Sequence, residues 1–304
     1  MTKTNQNIVP HLWYDKEAKE AAEFYTSIFP ASRITNVTPL DDTPSGDSHL
    51  VSFELWGQKF LSMSAGPIFK FNPTVSFMVN FDLKRDKEAG EKINKVWNKL
   101  SEGGTVLMPL DKYSFSDKYG WIQDMYGLSW QLILTNPEVE ERPTIMPSFM
   151  FVGDQYNKAE EAIHYYLSVF NNAKKGSIAR YPQGMEPDKE GTIMFSDFML
   201  ENQWLAAMDS ARNHSFSFNE AISLTVYCDT QEEIDNYWNK LSAVPESEQC
   251  GWLKDKYGMS WQIVPREKEA MMSNGTPEQV ARVIQATLKM KKLDFAELRR
   301  AYKG

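Results

Sequence analysis

The chain repeats one phrase. Gly120-Trp121-Ile122-Gln123-Asp124-Met125-Tyr126-Gly127-Leu128-Ser129-Trp130-Gln131 returns near the other end as Gly251-Trp252-Leu253-Lys254-Asp255-Lys256-Tyr257-Gly258-Met259-Ser260-Trp261-Gln262. Beyond the shared Gly-Trp start, six letters keep their order, a second Trp among them. Chance does not return so uncommon a residue to matched places. The chain is a tandem duplication, and its fold must be built from two like copies. At 304 residues there is room for about two domains, each able to bury its own core.

Composition narrows the classes of function. With 42% hydrophobic and 24% charged residues, the chain is of the soluble globular type. A net charge of −8 opposes nucleic acid or an anionic membrane surface as a partner, since both would repel it at long range. Met1 to Asn7 are polar, and nowhere do eighteen apolar residues run together, so a cytoplasmic chain is expected. Cys228 and Cys250 do not match each other between the copies, and no structural disulfide is expected in a reducing compartment.

Each copy reads as two βαβββ units, an α+β plan. Copy one opens with a strand, Ile8 to Tyr14, then a helix from Lys16 to Phe29 in which Ala18, Ala21, Ala22, Phe24, Tyr25, Ile28 and Phe29 recur at helical spacing, closed by Pro30. Strands at Arg33 to Leu40, His49 to Trp56 and Lys59 to Ser64 follow, the last two joined by a Gly57-Gln58 turn. The pattern restarts with a strand at Thr74 to Phe81, a helix at Glu88 to Leu100, a strand at Thr105 to Met108, and a closing pair at Gly120 to Asp124 and Ser129 to Leu134. Copy two repeats this from Ile145. Pro137 to Pro147 reads as the linker, and a tail beyond the second copy carries Thr276-Pro277-Glu278, a helix start, with a second helical stretch at Phe295 to Tyr302. The domains expected are 1–137, 144–266 and a helical tail at 274–304, the tail docked on the body.

Pro10-His11-Leu12-Trp13-Tyr14, Ala21-Ala22-Glu23-Phe24-Tyr25, Phe71-Asn72-Pro73 and Lys118-Tyr119-Gly120-Trp121 through Ser129-Trp130-Gln131 resemble the PhnB-like branch of the vicinal oxygen chelate superfamily. That superfamily includes glyoxalase I, bleomycin-resistance proteins and extradiol dioxygenases, and many PhnB-like relatives carry the label 3-demethylubiquinone-9 3-methyltransferase. The resemblance spans about Ile8 to Val264. It implies tandem domains, each of two βαβββ units forming a cupped mixed sheet, an internal pseudo-dimer in which further homodimerisation is open, and a small molecule as partner. No Gly-rich loop follows the first strand and no acidic residue follows it as a nucleoside cofactor requires.

In metal-using members of the superfamily, a divalent ion sits at the base of the cup on side chains of the first, fifth and eighth strands, commonly His, His and Glu. Carried over, those places fall on His11, on no useful ligand near Pro73 to Ser76, and on Gln131 in copy one; copy two offers Ser148, Glu220 and Gln262. One set assembled across the pseudo-twofold, His11 with Glu220 and Gln262, would hold zinc, manganese, nickel or iron and support a lyase or isomerase. The other reading is a metal-free pocket that binds a small molecule.

Strand alternation puts His11 with Trp13 on one face and Leu12 with Tyr14 on the other; likewise Gln131 and Gln262 oppose the core-facing Trp130 and Trp261. The pocket residues expected are therefore His11, Trp13, Trp121, Gln131, Ser148, Trp204, Trp252 and Gln262, aromatic walls with amide and imidazole groups between them. Trp97 and Trp238 read as core, and His49, His164 and His214 as solvated. No nucleophile and base stand together, so no catalytic residue is assigned.

Overall fold

A computed structural model describes residues 6–43, 46–135 and 140–304, with side chains 40–47 outside the description. The first polar residues up to Asn5 and the linker residues Pro137 and Glu138 fall outside the described residues. Copy one runs β1 (Ile8–Tyr14), α1 (Ala18–Ile28), β2 (Arg33–Thr43), β3 (Gly46–Leu55), β4 (Gln58–Ser64), β5 (Val75–Asp82), α2 (Ala89–Ser101), β6 (Thr105–Tyr113), β7 (Ser116–Gln123) and β8 (Ser129–Thr135). Copy two runs β9 (Ile145–Phe151), α3 (Ala159–Val169), β10 (Ala173–Arg180), β11 (Ile193–Leu200), β12 (Gln203–Asp209), β13 (Ile222–Cys228), α4 (Gln231–Leu241), β14 (Trp252–Lys254) and β15 (Ser260–Pro265). Three helices close the chain: α5 (Arg266–Asn274), α6 (Pro277–Leu288) and α7 (Phe295–Lys303).

Several boundaries differ from the sequence reading for local reasons. Trp56 and Gly57, both at positive φ, form the turn between β3 and β4, and Gln58 already belongs to β4. Pro147 sits inside β9, so the linker ends before Ile145. In the last unit a short 3₁₀ turn at Pro245–Ser247 stands where the first copy has β6.

The described strands form two sheets, one ordered β14-β15-β13-β1-β4-β3-β2 and the other β10-β11-β12-β9-β5-β8-β7-β6. Each therefore joins a unit of one copy to a unit of the other. The seams are antiparallel, β1 on β13 with His11 opposite Ser223, and β5 on β9 with Ser76 opposite Ser148. The helix-side core, by contrast, is shared within a copy: Phe60 of β4 meets Phe77 of β5 with ring centroids 5.0 Å apart. Swapped sheets and shared cores tie all four units into one body.

The repeated phrase explains itself in this core. Asp124 Oδ1 accepts from the backbone N–H groups of Tyr126 and Leu128, which bends the chain into the turn that Gly127 completes at φ +84. Its Oδ2 accepts from Trp130 Nε1 and the Tyr25 hydroxyl, both at 2.8 Å. Asp255 repeats the pattern with Tyr257, Met259, Trp261 and Tyr166. The aspartates had no role in the sequence reading, yet they account for the spacing from Asp to Gly to Trp in both copies.

The tail docks. Thr276 and Gln279 form a capping box at the start of α6, Val283, Leu293 and Leu298 pack with Val264 and Met271, and Met290 and Lys291 accept from the N–H groups of Cys250 and Gly251. No described helix is long and apolar enough to cross a membrane.

Candidate functional site

Each sheet turns one face to the helices and the other to a cup. In the first sheet, strand register carries Trp252, Gln262, Thr225 and Val9 along one row and Lys254, Ser260, Ser223, His11 and Leu61 along the next. This face is cup A. In the second sheet, Gln123, Ser129, Ser76, Ser148, Ala206 and Asp197 share a row, beside Trp121, Gln131, Met78 and Met146. That face is cup B. The expected pocket residues thus divide evenly, His11, Trp13, Trp252 and Gln262 in cup A and Trp121, Gln131, Ser148 and Trp204 in cup B.

Cup B is internally satisfied. Gln131 accepts from the Tyr119 hydroxyl at 2.7 Å and donates to Ser76 at 2.7 Å and Ser148 at 3.5 Å. Trp121 donates to Ser129. At the far wall Arg142 lies over the Trp204 ring, 3.9 Å from its centroid, and pairs with Asp197 at 2.6 Å, both side chains buried. A buried cation, its carboxylate and its aromatic platform already answer one another there. Apolar Met78, Met146 and Ala206 fill the space between.

Cup A keeps the matching skeleton but not the satisfaction. Gln262 donates to Ser223 at 2.9 Å, as Gln131 does to Ser76. Cys250, free and partly exposed, replaces Tyr119, and Thr225 replaces Met78. Three described buried side-chain atoms have no hydrogen-bond partner: Gln203 Oε1 on β12, one strand position out of phase with the cup B face, and in cup A His11 Nδ1 and Thr225 Oγ1, 3% and 1% exposed by residue. Leaving such groups unpaired costs about 1–3 kcal/mol each. Aromatic edges surround them: Trp252 meets His11 at 5.5 Å and Trp13 at 6.2 Å between centroids, and Phe69 meets Trp13 at 5.2 Å. Burial, reinforced by the nearby Lys268 charge, lowers the His11 imidazole to about 3, so it stands neutral.

The divalent site implied by the resemblance is not built from these residues. His11 and Gln262 do share cup A, but Glu220 forms an ion pair with Lys254 at 2.7 Å and is thereby neutralised. The rest of cup A offers hydroxyls at Ser223, Ser260 and Thr225 and an alkyl chain at Leu61, weak partners for a divalent ion, beside the single thiol of Cys250. Among the described residues no three His, Cys, Asp or Glu side chains converge. Other residues take these places: Trp130 and Trp261 are fully buried, Trp238 is part of the core and Trp97 packs against that core, and Cys228 and Cys250 are free cysteines. His164 is exposed, whereas His49 and His214 are half-buried and His214 shares a hydrogen bond with Ser210.

With this geometry in place, likenesses to other proteins gain meaning. The chain is similar over 43% of its length to the whole (100%) of the PhnB protein of Bacillus cereus, at 36% identity and a TM-score of 0.38. Glyoxalase I from Zea mays covers more, 88% of this chain and 98% of its own, at 12% identity and a TM-score of 0.53, a likeness of fold. A comparison with curated proteins gives no match. The model of the 3-demethylubiquinone-9 3-methyltransferase family matches residues 6–133 and again 143–264. The chain therefore belongs to that family, with its domain present twice in one polypeptide, on a fold shared with glyoxalase I.

Proposed function

We propose that this protein binds a small organic molecule in cup A without the help of a metal ion. The observation that carries the reading is the unpartnered His11 Nδ1, deep in a floor whose counterpart at Ser148 is satisfied. A neutral imidazole can donate or accept, Thr225 and Gln262 lie beside it, and the Trp13 and Trp252 rings supply shape. Cup B serves as the structural partner that completes the paired sheets. Titration of the full chain with a panel of small aromatic and aliphatic ligands, followed by ligand-observed NMR, tests the reading. Binding that weakens in Trp252→Ala and His11→Ser and persists in Ser148→Ala supports it. Binding indifferent to Trp252 and His11 would remove it.

A further inference from the structure

We infer that the ligand of cup A is a small organic anion, its charge met by Lys268 of α5; the inference rests on the reading of cup A as a binding site. Helix α5 packs against β15 and also against β2, although β13, β1, β4 and β3 lie between those strands in the sheet. A helix can touch both only by spanning the mouth of a curved sheet. Thus α5, a segment outside either repeat, roofs cup A.

Lys268 sits in the first turn of this roof, half-buried, close enough for its charge to act on His11. Among the described residues, acids of neighbouring segments are engaged elsewhere: Glu267 with Arg299 at 2.7 Å, Asp229 with Arg266 at 2.8 Å, and Glu220 with Lys254 at 2.7 Å. Glu269 is exposed. No described carboxylate pairs with Lys268, and burial lowers its ammonium to about 8. A desolvated cation without a counter-ion is costly, and an anion entering the cup would relieve it. Cup B makes the contrast, since the cation on its wall, Arg142, already has Asp197.

The rest of cup A fits the same class of molecule. Thr225 and Ser223 hydroxyls and the Gln262 amide can donate to a carboxylate, while the Trp13, Trp252 and Phe69 edges suit a flat conjugated body. The ligand class is an aromatic or conjugated carboxylic acid.

The test titrates the full chain with benzoate and with its neutral isostere benzamide, by ligand-observed NMR, in the natural sequence and in Lys268→Met and Lys268→Arg. Benzoate is expected to bind about tenfold or more tightly than benzamide. Lys268→Met should erase that preference and spare benzamide, and Lys268→Arg should restore it in part. Equal binding of the two probes, or a preference that survives Lys268→Met, overturns the inference alone so long as both probes weaken in Trp252→Ala. If neither probe binds, or both ignore Trp252, this inference and the reading beneath it fail together.

Discussion

Tyr25 on α1 donates its hydroxyl to Asp124 at 2.8 Å, and this one bond joins the first unit of copy one to the turn of the second. Tyr166 and Asp255 reproduce it at 2.7 Å in copy two. Sheets run across the copies while these bonds run within them, so loosening either aspartate loosens both sheets. Tyr25→Phe removes a hydrogen bond to a buried carboxylate and is expected to cost about 1–3 kcal/mol. Asp124→Asn turns a donor toward donors and should cost more. In urea melts the double variant should fall short of the sum of the singles, since both act on one network; full additivity would deny the coupling.

The pH dependence of stability carries a signature of His11. Its imidazole, ordinarily near 6.5, is lowered to about 3 in the folded chain by burial and by Lys268. A depressed base stabilises the fold above its unfolded value and loses that contribution as pH falls from about 6.5 through about 3, by at most roughly 4–5 kcal/mol. Asp124 works the other way: burial raises its carboxyl to about 6, so its contribution is present below about 4 and is lost as pH rises through about 6. The two slopes oppose each other in the natural sequence. Comparing it with His11→Ser isolates the histidine: the variant should lose less stability on acidification between pH 6 and 4. Parallel curves would show that His11 titrates normally in the fold.

Arg142 predicts a purely structural effect. Its partner Asp197 is 4% exposed and also accepts from the Ser177 N–H. Arg142→Ala leaves that carboxylate buried and unanswered, and breaking such a pair from one side costs about 3–5 kcal/mol. Adding Asp197→Asn should recover part of the loss. Ligand binding in cup A should change little in either variant, whereas a parallel loss of affinity would place the working site in cup B.

Much of this was legible in the residues. The repeated phrase exposed the duplication, and period-two alternation put His11 with Trp13 and Gln131 opposite Trp130 on their observed faces. Two things were not. Which unit pairs with which is decided by seam register, His11 to Ser223 and Ser76 to Ser148, and no local pattern encodes a partner so distant along the chain. Helix α5 escaped because Arg266-Glu267-Lys268-Glu269 shows no apolar stripe. Its signal lay in strong helix formers with acids in the first turn, a motif that reads equally as a solvated loop.

The chemistry of the cup A floor makes its last prediction about metals. One imidazole, one amide, three hydroxyls and a lone thiol hold a divalent ion weakly, because an amide or hydroxyl oxygen lacks the charge that a carboxylate brings and, among the described residues, no second thiol or imidazole joins the set. Protein equilibrated with zinc, manganese or nickel and then desalted should retain far less than one equivalent, and His11→Ala should not alter that residue of metal. One tightly held equivalent, lost in His11→Ala, would instead make this a metal-dependent site. The same logic runs forward. Ser223 faces His11 across the seam and Gln262 donates to Ser223, so Ser223→His with Gln262→Glu supplies the missing imidazole and carboxylate on strands already in register. Zinc affinity should then rise by about 100-fold or more, roughly 3 kcal/mol, as read by competition with a chelating dye. No gain would mean that the cup, and not its donor set, is wrongly shaped for the ion.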